Sequence, residues 1–220
     1  MSCLPAPARW IAALALALAA ATPTRAAIDL DSLDDAVAAE VNFARTMPRT
    51  YAETLKPYRA LFRGKLVKSP SHAHPVRTDE GVAAVDEAIA FLQRQPPVRP
   101  LSPNAVLARS AADHVKDQGP TGRIGHTGSD GSILPDRIER YGAWVGVIAE
   151  DIGYGYANGP EVVRQLIVDD GVADRGHRVN IFNPRLRLIG VACGPHALYE
   201  TMCVLDFASD VRANGAAQAR

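Results

Sequence analysis

Asp174-Arg175-Gly176-His177-Arg178-Val179-Asn180-Ile181-Phe182-Asn183-Pro184 is the stretch on which the reading of this chain turns. It crowds Gly, His, Arg and Asn into a few positions and stops at a proline. An apolar, strand-like run from Leu186 to Cys193 follows at once. A histidine between a glycine and an arginine, at the entrance to a buried strand, suggests a positioned side chain. A lone loop histidine is more often simply solvated, so the company His177 keeps decides the matter. His126 stands in Gly125-His126-Thr127-Gly128, and Glu150 in Ala149-Glu150-Asp151-Ile152-Gly153-Tyr154-Gly155. Both lie among glycines, where backbone can approach a site closely.

In that order the three stretches resemble the CAP superfamily, the cysteine-rich secretory, antigen 5 and pathogenesis-related 1 proteins, also called the SCP domain. The family pattern runs His-(Ser/Thr), then Gly-Glu-Asn-(Ile/Leu), then a helix carrying an acid, then Gly-His. Here it reads His126-Thr127, Ala149-Glu150-Asp151-Ile152, and Gly176-His177-Arg178-Val179-Asn180-Ile181, the last in the form associated with bacterial members. The resemblance spans Leu33 to Phe207, with an insertion at about residues 51–98. It implies an α-β-α sandwich around a small central antiparallel sheet. It also implies two histidines and two acids at the floor of a cleft, where some members bind zinc or another divalent ion. His126, Glu150 and His177 fill three of those positions. Asp169, at the end of Glu161–Asp169, takes the fourth, with Asp170 as the alternative. The chain departs from the pattern there, since Asp replaces Glu, and a change of Asp169 to Glu is expected to tighten metal binding. Leu166 stands where Trp is common, and Ala149 and Asp151 replace Gly and Asn.

Residues 1–26 read as a secretory signal. Arg9 is the positive flank, Trp10 to Ala21 the apolar stretch, and Thr24-Arg25-Ala26 a small-x-small exit. Twelve apolar residues are too few to span a bilayer. Cleaving 26 residues from 220 leaves 194, enough for a single domain over 27–210 with a frayed tail at 211–220. Losing Arg9 and Arg25 lowers the 24 basic residues to 22 against 24 acidic, a formal charge of −2. With no basic stripe, nucleic acid is excluded as a partner, and no second apolar segment follows the signal. The mature chain keeps Cys193 and Cys203, flanking the turn signal Gly194-Pro195-His196. An even pair in an exported protein favours a disulfide across that hairpin, with two free buried thiols as the alternative.

Along the chain, Leu33, Val37, Val41 and Ala44 fall at helical spacing behind Ser32, an N-cap candidate, and Pro48 ends the run. Val82, Val85, Ile89 and Leu92 put a helix inside the insertion. Ser102-Pro103 reads as cap and first turn of a helix to about Gln118, with His114 as a partly buried helix residue. Ser132 to Arg140 reads as a short helix, Val145 to Ile148 as a strand leading to Glu150, and Glu161 to Asp169 as a helix. Leu186 to Cys193 and Tyr199 to Phe207 show no clean alternation, which marks strands covered on both faces.

Neutral imidazoles with carboxylates suit zinc or a similar divalent ion. No His-Glu-x-x-His helix and no Gly-x-Ser-x-Gly elbow is present. Three classes follow. The first, and favoured, is a secreted or periplasmic binding module whose cleft takes a metal ion and a lipid, peptide or glycan, as the family's links to sterol and lipid binding imply. The second is a metal-dependent hydrolase using the same residues. The third is an interaction protein acting through residues 51–98, with the His/acid cluster as a structural network.

Overall fold

A computed structural model describes residues 30–214. The signal expected at residues 1–26 and the end of the tail, 215–220, lie outside the described residues. The chain enters with α1 (Leu30–Thr46), whose Val37, Val41 and Ala44 are fully buried. Ser32 stands inside the first turn rather than at a cap, because the helix already runs at Leu30. Pro48 separates α1 from α2 (Pro48–Arg59) by taking the first helical position, where its missing N–H costs nothing. On α1, Asn42 accepts from the backbone N–H of Leu101 at 2.7 Å and donates to its carbonyl at 2.9 Å. One turn on, the buried Arg45 donates to the carbonyls of Arg99, Ile181 and Leu186. These two polar residues fasten the first helix to distant loops.

Residues 51–98 are built of the rest of α2, three two-residue strands and a helix. The strands β1 (Phe62–Arg63), β2 (Leu66–Val67) and β3 (Val76–Arg77) form an antiparallel sheet, followed by α3 (Val82–Arg94). Tyr51, Leu55, Val85 and Leu92 join the same buried cluster as α1 and the central sheet. The segment is therefore not an appendage. Removal of residues 69–97, among them Val85 and Leu92, would uncover that cluster.

β4 (Ser102–Pro103) occupies the place where a helix start was expected. The amides of Ser102 and Asn104 donate to Arg187 and Ile189 at 2.8 Å, so this backbone is held extended. Asn104 is the cap instead, its side chain accepting from Val106 and Leu107, and α4 (Ala105–Gln118) follows. A 3₁₀ turn at Gly119–Thr121 leads to the His126 loop and α5 (Leu134–Glu139). β5 (Gly142–Tyr154) is much longer than the expected Val145–Ile148 and contains Glu150. Then come α6 (Gly159–Val168), α7 (Gly176–Ile181), β6 (Leu188–His196) and β7 (Glu200–Ala213). β7 carries regular pairing as far as Ala213, opposite Gly142, so residues 211–213 belong to the sheet and not to a tail.

The central sheet has order β4-β6-β7-β5, antiparallel except for the short β4–β6 pair. α1, α6 and α7 lie on one face and α4 and α5 on the other. Along β7, Cys203, Leu205 and Phe207 pack with the α1–α6 layer, while Met202, Val204 and Ala208 pack with the α4–α5 layer. Both faces are covered, which is why the two C-terminal runs are apolar throughout. α4 crosses β6 so closely that a Cβ on Gly190 would lie 2.0 Å from the Ala108 nitrogen. Cys193 and Cys203 are direct cross-strand partners and are joined in a disulfide, as their hairpin spacing suggested. The α-β-α sandwich around a small, mainly antiparallel sheet is thus the observed architecture. No helix among the described residues is long and apolar enough to cross a membrane.

Candidate functional site

His126 sits on the loop between the 3₁₀ turn and α5, and α4 holds that loop from behind. His114 and Gln118, both fully buried and one turn apart, donate to the carbonyl of Gly125 at 2.8 and 2.9 Å. The amide of Gly125 donates to the Tyr154 hydroxyl at 3.1 Å. Burial lowers the His114 pKa, which keeps the ring neutral in this structural task. His114 is more deeply buried than its helical position suggested, and its role is to place its neighbour.

The side chain of His126 is 56% exposed, yet its Nδ1 lies 2.9 Å from Oε1 of Glu150. A carboxylate only accepts, so Nδ1 carries the proton and Nε2 is left with its lone pair. Glu150 comes from the middle of β5, not from a loop, and is opposite Asp206 in the β5–β7 register. Its other oxygen accepts from the guanidinium of Arg137, a side chain only 1% exposed. Arg137 also donates to the carbonyls of His126 and Ser132, each at 3.2 Å. Burial acts to raise the Glu150 pKa, but the bonds from His126 and Arg137 prevail and hold it below the ordinary value. Asp206, fully buried beside it, has neither oxygen in good hydrogen-bond geometry with a described residue. Burial, and then the charge of Glu150, raise its pKa well above the usual range. Two carboxyl groups, Glu150 and Asp206, and the guanidinium of Arg137 lie together under His126.

The second histidine is positioned differently. Asp169 follows the last residue of α6 and adopts a left-handed conformation, φ 55°, as its C-cap. The acid expected on the helix face is thus turned off the helix end. Its Oδ1 lies 2.6 Å from His177 Nδ1, and its Oδ2 accepts from the His177 amide at 3.0 Å. Burial lowers the His177 pKa, but the bond to Asp169 and the nearby carboxylates of Asp151 and Asp169 outweigh it, and the net shift is upward. Asp151 itself faces away from Glu150 on β5, accepts from Asn180 at 2.8 Å, and is pushed up to about 8 by burial. Asp170, the alternative fourth residue, turns outward and accepts from the amides of Asp79 and Glu80.

The four expected residues are arranged as two histidine–carboxylate pairs. His126, Asp169 and His177 line one cleft of about 490 Å³. Its walls include Tyr58 and Val76 from the segment 51–98, Tyr154, Tyr156 and Arg164, whose guanidinium lies 4.1 Å over the Tyr58 ring. Among the described residues, no three His, Cys, Asp or Glu side chains form a group that could hold a metal ion. No described hydrogen bond occupies either Nε2. The positioning residues Arg137, Gln118 and Tyr154 were not apparent in the sequence. One signal was available for Arg137. It falls on the apolar stripe of α5 between Leu134 and Ile138, where a cation must find a buried partner.

Solved structures of low identity share features of this chain. One is an extracellular protein containing an SCP domain from Bacillus anthracis, 19% identical at a TM-score of 0.41, covering 57% of this chain and 40% of that one. Another is an outer surface protein from Borrelia burgdorferi, 19% identical at 0.43, covering 50% and 78%. A third is a cysteine-rich secretory protein from Staphylococcus aureus, 16% identical at 0.37, covering 59% and 38%. The chain thus spans less than half the length of the first and third of these proteins. No curated protein matches it. The model of the cysteine-rich secretory protein family, however, matches residues 44–207, from the end of α1 into β7. The chain belongs to the CAP family.

Proposed function

We propose that this CAP-family chain is an exported binding protein. In this reading it holds one divalent transition ion, zinc or a similar one, through Nε2 of His126 and of His177, and admits a small ligand along the adjoining cleft. The observation that carries the reading is the shared hydrogen bonding of the two rings. Each gives its Nδ1 to a buried carboxylate and keeps Nε2 for another partner, the arrangement in which outer-shell acids orient metal-binding imidazoles. Glu150 and Asp169 are then orienting groups, and the remaining coordination positions are open. A bound ion would supply a Lewis-acidic centre for water or ligand. The cleft volume of about 490 Å³ lies within the range of small-molecule sites.

Calorimetric titration of the purified chain with zinc at neutral pH tests this. One ion should bind, and His126→Ala/His177→Ala should remove most of the affinity. Equal binding by wild type and the double variant would reduce the pairs to a structural network.

A further inference from the structure

The two arginines that bracket His177 both leave the family site and reach into the segment 51–98. Arg175 donates to Glu80, NH1 to Oε1 at 2.6 Å and NH2 to Oε2 at 2.7 Å, in a two-pronged pair. Arg178, 2% exposed, reaches Glu87 on α3 at 2.7 Å. The exchange also runs through backbone. The amide of Gly171 donates to Glu80 at 2.8 Å, while Asp170 accepts from the amides of Asp79 and Glu80 at 2.6 and 2.8 Å. Gly171 is packed so tightly on this approach that an added Cβ would lie 2.5 Å from Asp79 Oδ2. The same arginines then turn back on the loop. Arg175 donates to the carbonyl of Asp169 at 2.7 Å, and Arg178 to that of Ile167 at 2.6 Å.

This clamp bears on the loop whose geometry orients His177. Asp169 and Arg175, at its two ends, both hold φ near 55°, a conformation that non-glycine residues avoid unless their surroundings enforce it. The pair with Arg175 also draws the Glu80 carboxyl down to about 2. Beside it, Val76 and Arg77 line the cleft.

We propose that residues 79–87, which lie within the added segment, are a positioning element for His177: Glu80 and Glu87, acting through Arg175 and Arg178, hold the 169–178 loop so that Asp169 fixes the ring. Glu80 and Glu87 touch no ligand in this arrangement; they act on the histidine at one remove. The inference rests on the reading of His177 as a working group, but its test does not need a metal. In protein labelled with ¹⁵N-histidine, an Nδ1–H bonded to a carboxylate gives a downfield, slowly exchanging proton signal. Both His126 and His177 should show it, which supplies an internal reference. Glu80→Ala/Glu87→Ala should lose or broaden the His177 signal and leave that of His126, in a protein that still melts cooperatively. Exchanging the charges in Glu80→Arg/Arg175→Glu should restore it relative to Glu80→Arg alone. Zinc affinity measured alongside should fall about tenfold, the lower end of what loss of an outer-shell partner costs. An unchanged His177 signal in the folded double variant overturns the proposal. If that variant does not fold, Glu80→Ala alone decides by the same signal. Failure of wild type to bind zinc, with the signal still dependent on Glu80, would overturn the metal reading and leave the clamp standing.

Discussion

The two histidine–carboxylate pairs do the same thing with different materials. Glu150 is set by strand pairing, is 3% exposed, and is neutralised from below by a buried arginine. Asp169 is set by a left-handed helix cap in a loop, and the arginines that steady it look outward to Glu80 and Glu87. The first pair is a product of the central sheet; the second depends on a neighbouring segment. The comparison teaches that a site's parts can have unequal robustness even when their local chemistry matches. A buried charge makes one half stiff and intolerant. Ion pairs to partly exposed glutamates make the other half adjustable.

The largest expected effect follows from the buried charge. Arg137→Ala leaves Glu150 ionised without its cation and frees the His126 and Ser132 carbonyls. Removal of one partner of a buried pair typically costs about 3–5 kcal/mol, and urea denaturation should show a loss of that size. A loss of under about 1 kcal/mol, the worth of a surface pair, would mean that the two halves do not differ as described.

The second concerns Asp151, adjacent to Glu150 in sequence but pointing to the opposite face of the sheet. Burial raises its pKa to about 8 in the folded chain. As pH climbs past ~3.9, the unfolded chain ionises there and the folded chain does not, so native stability falls until the folded pKa is reached. Asp151→Asn should remove that loss. It should be more stable than wild type at pH 7 in thermal melts, and the gain should vanish below about pH 4. No gain at pH 7 would show that Asp151 is ionised in place.

A smaller effect separates the histidines by pH. The His177 pKa is raised in the folded chain, so its stabilising contribution is complete below the ordinary value of ~6.5 and is lost as pH rises through the raised value. The stability gap between wild type and His177→Ala should therefore shrink from pH 6 to pH 8. Protons compete for the same ring, so zinc affinity should begin to fall above pH ~6.5 as the solution is acidified. A gap that widens with pH would reverse the assigned sign.

The smallest effect expected is that of Asp169→Glu. With Asp169 already 2.6 Å from His177 Nδ1, an extra methylene has no distance to close. Zinc affinity should stay level or weaken a few-fold, in contrast to what family alignment alone suggests. A clear tightening would show that the carboxylate reaches the ion itself.

Much of this was legible in the residues. Glycine-flanked His126 and His177 do reach one cleft, helical spacing located α1 and α3, and the Cys193–Cys203 hairpin follows from two apolar runs around Gly194-Pro195. What was not legible is long-range or concerns glycine. Gly146 lay unremarked inside the expected strand, and Gly153 looked like punctuation, which shortened β5. One proves to be a bulge at φ 84° and the other a close approach to Gln165. Asn104, not Ser102, caps α4 because pairing of Ser102 to β6 is a tertiary event. Arg137 and the Glu80–Arg175 pair escaped because sequence does not say which opposite charges will meet. Segment 51–98 reads as an insertion in the family pattern. Its Val85 and Leu92 belong to the one large core, and only packing reveals that.

The bulge in β5 has one more meaning. Between Val145 and Ile148 the register against β7 shifts, and every residue beyond it inherits the new phase. Side chains on a strand alternate with strict parity, so that single irregularity decides which of Glu150 and Asp151 faces His126. A one-residue deletion at Gly146 that pulled the later residues along would exchange their faces. It would bring the shorter acid beneath His126, beside Arg137, and send the longer one to the place of Ala149, opposite Phe207 on the other face. The identity of the acid behind each histidine is thus stored as a count of residues, upstream of either ring.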